Sequence, residues 1–368
     1  KYQTIMHADW KWDVMGGNPG ASLVMDLHDD GGGAPTSSLK FEFDNTDART
    51  ANVSKVGQND LQLMDNDFVT TIAYHDGASN LDLGNGALGS AIVSGFAGSG
   101  TVDGGNDGNV FTINSAAGNT GTEAYTFSGN IYQDATTSTD LTIIKEGAGE
   151  QVFTGNVNVV DSTNTNISGG LNIQEGTVTL TPASGKTQKF EYLHGESGTT
   201  LSLDNSNESS QTIELGFANT TYSSYGNANP THAGNVVLGG SNSNNTIKVV
   251  SSATADDTNM GKNQVIQGAV SGSNKLVKDG VGRLTLEGAS TYSGGTQIDH
   301  GTLHAGHNDA LGTGAVVINK GKLQLGSGVD VSESIDGGTG KSMIGGDGTF
   351  SGTTSGESKL IIGSGVSK

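Results

Sequence analysis

One stretch constrains the fold of this chain more than any other: Lys275 to Gly306, KLVKDGVGRLTLEGASTYSGGTQIDHGTLHAG, returns in looser form between Ile143 and Leu180. Lys278, Gly280, Gly282 and Gly288 keep the mutual spacing of Lys145, Gly147, Gly149 and Gly155. Further on, Gly294, Gly295, Ile298 and Gly301 answer to Gly169, Gly170, Ile173 and Gly176. They follow an insertion of eight residues (14 from Gly155 to Gly169 against 6 from Gly288 to Gly294) that reads as a loop excursion. A shorter echo through Ile318, Gly321, Leu323 and Leu325 puts Gly321 20 residues after Gly301, the length of one solenoid coil. The glycines match better than the side chains between them, so the repeat fixes turns before it fixes packing.

Between the glycines, short runs alternate: Leu23/Met25/Leu27, Leu39/Phe41/Phe43, Leu284/Leu286 and Leu323/Leu325. Period two marks half-buried strands. Glycine supplies 59 of 368 residues, roughly twice the usual share of about 7%. Proline is confined to Pro19, Pro35, Pro182 and Pro230, so the turns are many and tight but seldom rigid. No apolar pattern of period 3.6 runs beyond a couple of turns, and Ala253 to Gly261 is the best candidate for a short helix. The chain is all-β. Strands this short, recurring near 20 residues, predict a solenoid rather than a sandwich. A lone coil cannot bury its apolar side, whereas coils stacked about 4.8 Å apart close their ladder hydrogen bonds and share a thin continuous core. An aromatic content of 5% suits a narrow interior with more room for branched aliphatics than for Trp, which makes Trp10 and Trp12 unusual.

The residues from Lys278 to Leu303 resemble the passenger-associated repeat of autotransporter proteins, K-x-G-x-G-x-L-x-L-x-G-x-N-x-Y-x-G-x-T-x-V-x-x-G-x-L. Ser290 stands where the family usually has Asn and Ile298 where Val is common, neither of which alters the physical pattern. The earlier copy is looser, with Glu150, Gln151 and Val152 in place of the clean alternation and no Tyr before its second glycine pair. Direct coverage is under a third of the chain. The resemblance implies a right-handed parallel β-helix, exported from a Gram-negative bacterium and displayed on its outer surface or released.

Two sections are expected. Residues 1–140 alternate without the repeat signature, hold both tryptophans and the loop DLHDDGGGAP, and read as a cap on the first coil or a small separate β domain. Residues 141–368 read as the solenoid, with repeats at 141–180 and 275–306 and with Asn205 to Gln211 and Gly240 to Asn245 as loops projecting from the rod. Cysteine is absent, so ladders and stacking carry the stability. Lys1 to Trp12 lacks the apolar core of a signal peptide, and LIIGSGVSK reads like the lead-in to another repeat. The native chain is therefore expected to continue past both ends, an outer-membrane barrel being one continuation. The fragment itself holds no membrane-spanning segment.

A formal charge of −20 disfavours nucleic acid and anionic membranes as partners, and the dispersed acids read as a solvated surface that resists edge-to-edge aggregation. Three groupings are candidate sites. Asp299, His300, His304 and His307, followed by Asp309, supply the imidazole and carboxylate donors that zinc takes, against a plain reading as surface residues on successive turns. Asp26, His28 and Asp30 alternate along one side of a strand, with His7 and Asp9 nearby. Asp103 and Asp107 offer hard oxygen ligands for calcium on a glycine loop, without the spacing of any standard calcium motif. No cofactor is required, and calcium or zinc is the only candidate. The VVDST run at Val159 to Thr163 echoes an aspartic-peptidase loop but has Asn164 where Gly is needed, and IDGG at Ile335 to Gly338 is a poor second loop.

With no convergent catalytic set, the reading is a non-catalytic, surface-exposed or secreted β-solenoid of adhesin type that binds host glycoprotein or glycan or associates with sister molecules. Trp10 and Trp12 are candidate sugar-stacking residues if exposed and a hydrophobic plug for the first coil if not. The alternative is a secreted hydrolase, either a glycosidase or lyase or a peptidase, that degrades glycans or mucin-type glycoproteins with surface carboxylates. A passive spacer is the third reading.

Overall fold

Four or five alternating residues closed by a glycine make a strand that buries one face and a corner that redirects it. In the computed structural model these strands stack in parallel on their counterparts one coil away. One sheet has 15 strands, from Ser22–Leu27 to Leu360–Ile362, and a second has 14, from Leu39–Phe41 to Thr354–Ser355. A third has six, from Tyr125–Phe127 to Val270–Gly272, and Asp330–Val331 pairs with Thr349–Phe350 as a fourth. The structure describes strand backbone between 22 and 103. Backbone with side chains is described at 96, 101–102, 104, 110–115, 117–121, 124–132, 141–160, 169–206, 211–216, 230–241, 244–250, 263–338, 340–356, 361–362 and 365–367. No helix long and apolar enough to cross a membrane occurs among them.

The molecule is the right-handed parallel β-helix that the repeat implies, and its hand is the one that parallel crossovers almost always take. Its ladder crosses position 140 unbroken: Ser90–Val93 pairs with Val110–Asn114, which pairs with Thr142–Glu146. Strands before and after that position therefore share sheets. The candidate helix at Ala253 to Gly261 and the eight inserted residues at 161–168 lie outside the described residues, while Phe43 lies beyond the end of its strand Leu39–Phe41.

From Tyr125 to Gly272 each coil visits the 15-stranded, the six-stranded and the 14-stranded sheet in turn, giving a three-sided cross-section. Beyond Gly272 the six-stranded sheet ends, and the loop after Arg283–Leu286 takes its place. Tyr292 fills that side from within, fully buried, its hydroxyl hydrogen-bonded to Thr296, whose own hydroxyl donates to Leu311 O at 3.0 Å.

Inside, residues of one kind stack in columns. Phe127, Phe153, Leu180, Leu203 and Leu238 form one, and Leu284, Leu303, Leu323 and Ile344 another. All are buried, each worth about 1.5–3 kcal/mol. Phenylalanine rings share the interior with the aliphatics. Phe96 stacks on Phe127 at 4.2 Å between centroids and meets Phe111 edge-on at 4.9 Å. This ring cluster lies where the third sheet starts, at Tyr125–Phe127.

Polar side chains complete the ladder where backbone cannot. Tyr192–Gly195 meets the short strand Thr231–His232 only through Gly195 and His232, since Pro230 brings no N–H. Buried Gln264, one coil further on, substitutes for the missing strand: its Oε1 accepts from Leu193 N at 3.1 Å, and its Nε2 donates to Leu193 O at 2.9 Å and Pro230 O at 3.1 Å. Two asparagines assigned to projecting loops prove to be interior. Asn205 donates to Asn244 O at 2.7 Å and accepts from Asn274 at 3.3 Å, while Asn245, on the strand Asn244–Val249, donates to Leu203 O at 3.0 Å.

Candidate functional site

The histidine and acid grouping divides between separate corners. After the strand Thr296–Ile298, Asp299 turns to Gln297 Nε2 at 2.9 Å and Asn319 Nδ2 at 2.6 Å. His300 pairs instead with Asp279 one coil below, at 2.8 Å. Burial pushes the Asp279 carboxyl up, but the Gly280 N–H and His300 outweigh it and hold the group below its usual value. His304 lies on the next strand, Thr302–Ala305, its pKa lowered by burial and by the Arg283 guanidinium. His307 accepts from Asp309 N at 3.0 Å in the turn that follows. Among the described residues no three His, Asp or Glu side chains come together in a way that would hold a metal.

Of the other candidates, Asp103 ends the strand Thr101–Asp103, with only its backbone described. Asp107, Trp10, Trp12, His7, Asp9, His28, Asp30 and the 161–164 part of the VVDST run and its Asn lie outside the described residues, and Asp26 sits on a strand whose side chains are not described. Asp336 of the IDGG run accepts from Gly338 N at 3.0 Å, which makes it a turn-forming residue.

The outer faces of the rod differ in charge, and register shows how. On the 14-stranded sheet Lys189, Glu214, Lys248 and Asp279 stand in successive coils. Glu214 lies 3.6 Å from Lys189 and 2.8 Å from Lys248, an alternating ionic ladder in solvent. On the six-stranded sheet one outward column reads Thr126, Val152, Thr179, Ser202, Val237, Ser271. The column beside it reads Glu150, Thr177, Thr200, Asn235. Its one acid, Glu150, is engaged by the Thr179 hydroxyl and by Gly121 N at 2.9 Å. This face is about 24 Å long at the usual strand spacing. It presents hydroxyls, an amide, two valines and, at its edge, Asp204, which accepts from Ser206 N at 2.9 Å; no ionic ladder runs along it, and the surface is able to both donate and accept hydrogen bonds.

The repeat lysines were legible as markers, but their location was not. Lys145 and Lys278 are both 0% exposed and point into the rod. Each takes a place in an aliphatic column, Lys145 between Ile113 and Ile173 and Lys278 between Ile247 and Ile298. Burial lowers Lys145 to about 8 against the opposing pull of Glu175 and Glu146, and lowers Lys278 to about 7 against that of Asp279. The two copies also occupy different places on the rod. Lys145 precedes the corner from the 15-stranded to the six-stranded sheet, and Lys278 the corner from the 14-stranded to the 15-stranded.

Residues 143–180 and 276–305 match the passenger-associated-transport-repeat family. Over 72 residues, 19% of its length, the chain is 33% identical to the "Adhesin BmaC autotransporter" of Brucella suis biovar 1 (strain 1330), and it spans about 2% of that protein. No solved structure gives a significant match.

Proposed function

We propose that the chain is a binding rod. It carries passenger-associated-transport repeats on a parallel β-helix, the build of an autotransporter passenger, secreted or displayed at the surface of a Gram-negative bacterium. Adhesion of the kind named for its relative is the activity we assign, with a host glycoprotein or glycan as the ligand. The observation that carries this reading is the contrast between faces. A chain of charge −20 disfavours anionic partners, whereas the six-stranded face offers ranked hydroxyls and methyls, its two acids Glu150 and Asp204 both engaged by neighbouring hydroxyls and N–H groups. Such a face matches a neutral saccharide, whose hydroxyls and C–H surfaces need both kinds of contact.

Incubation of the chain with mucin glycoprotein and a panel of neutral and sialylated glycans, read for retention and for products by mass spectrometry, separates this reading from a hydrolase. Retention of neutral glycans without products is the expected result. Products, whether or not a chelator suppresses them, would replace the binding rod with an enzyme.

A further inference from the structure

An amine buried in an aliphatic column is costly unless its protons find acceptors. Lys145 Nζ donates to Glu146 O at 2.7 Å, Gly147 O at 2.6 Å and Glu175 O at 3.4 Å. Lys278 Nζ donates to Asp279 O at 2.7 Å, Gly280 O at 2.7 Å and His300 O at 3.1 Å. The first two acceptors belong to the lysine's own corner. The third belongs to the following coil, and in both copies it is the carbonyl just before a left-handed glycine, Gly176 or Gly301, each at φ 69°. Gly147 O and Gly280 O receive no backbone N–H among the described residues, so the lysine is the donor that serves them.

The two corners share this arrangement although they join different pairs of sheets. What they have in common is Lys-x-Gly-x-Gly and the glycine of the next coil. Where the column continues with Ile298 and Ile318, the glycine two positions on is missing too: Ile298 is followed by Asp299 and His300. In both repeats the lysine is paired with a left-handed glycine, Gly147 at φ 72° and Gly280 at φ 75°, the glycine bending the corner so that its carbonyl turns inward and the lysine receiving it.

We propose that the repeat lysine is a corner staple, a buried donor that fastens the corner of its own coil to the corner of the next, so that each repeat opens and closes as a two-coil unit. The staple is a conformational device local to the repeat and independent of which face of the rod the corner lies on. Elsewhere coils are joined by the backbone ladder, side-chain stacking and single amide or ionic links such as those of Gln264, Asn245 and Glu214, none of which ties one corner to the next.

Amide hydrogen exchange on the full chain tests this with Lys278→Met, which keeps an unbranched apolar side chain one atom shorter and removes the donors. Gly282 N, bonded to Val249 O, and Thr302 N, bonded to Gly282 O, report the two stapled corners. Gly149 N and Thr177 N report the corresponding corners of the other repeat. The expected result is exchange at least tenfold faster at both Gly282 and Thr302, with Gly149 and Thr177 unchanged, and the mirror pattern for Lys145→Met. Acceleration at Gly282 alone, or none at either, would overturn the staple. Should Lys278→Met not fold, native-state exchange of the unmodified chain in rising denaturant decides: a common dependence for Gly282 and Thr302 supports the two-coil unit, and separate dependences refute it.

Discussion

Lys278 and Gln264 show how much of this molecule rests on single polar side chains placed where sequence habits would not put them. Lysine is almost never fully buried, so its recurrence at Lys145 and Lys278 marked a repeat without betraying an interior position. The burial has a consequence for pH. Both amines sit below the ordinary lysine value of 10.5 when folded, at about 8 and about 7. Between those values and 10.5 the unfolded chain therefore binds more protons than the folded one, and stability rises with pH. It is lost again as pH falls through the folded values. His232, buried against Gly195 with its pKa lowered by desolvation, adds a slope of the same sign below pH 6.5. Urea midpoints are expected to climb from about pH 7 to 10, and Lys278→Met should flatten that climb while leaving the His232 limb below pH 6.5. Gln264→Leu has a different signature, because it strands Leu193 N and O inside the rod. A loss of about 2–3 kcal/mol is expected at every pH, measured by the same titration. Nothing in the sequence near Gln264 foretold this role, since it compensates for a strand shortened at Pro230, 34 residues earlier.

At the scale of strands and corners the sequence was far more legible. Alternation at Leu284/Leu286 and Leu323/Leu325 located strands that the structure places at Arg283–Leu286 and Lys322–Leu325. The glycines located the corners, because a left-handed backbone and a close approach to the neighbouring coil leave little else that fits. Gly301 shows both constraints. Its φ is 69°, and an added Cβ would lie 2.3 Å from Gly280 O. Gly301→Ala is expected to cost about 2–3 kcal/mol, visible as a lowered thermal midpoint, while Ala at Gly185, which has φ 75° but open space around it, should cost only the backbone strain. The phase of the repeats was not legible. Aligned copies suggest equivalent positions on the rod, yet a corner is defined locally and serves any two sheets, so Lys145 and Lys278 turn different edges. Nor do the polar stretches near Asn205 and Asn245 reveal from sequence that these two side chains point inward, because asparagine is common in projecting loops and in interior ladders alike.

Over the whole molecule, one unbroken ladder joins strands from Ser22 to Ile362, and its middle third carries an additional sheet. The extra sheet gives the rod a third, six-stranded face. Sequence composition foresaw a glycine-rich all-β solenoid but had no access to this face. Its columns join residues from six coils, from Thr126 to Ser271, and their common character appears only in register. Candidate residues chosen by proximity along the chain, such as Asp299, His300, His304 and His307, were dispersed for the reciprocal reason: Asp299 and His300 share a corner but turn to different neighbours, while His304 lies on the next strand and His307 in the turn after it. The claim that this face binds neutral saccharide is tested most directly by charging it. Ser202→Lys and Val237→Lys, adjacent on the outward column, should reduce retention on neutral glycans at least tenfold, with Thr212→Lys on the exposed side of the 14-stranded sheet as the control that leaves retention unchanged. Equal retention by all three variants, each folded by circular dichroism, would contradict the assignment of binding to the six-stranded face.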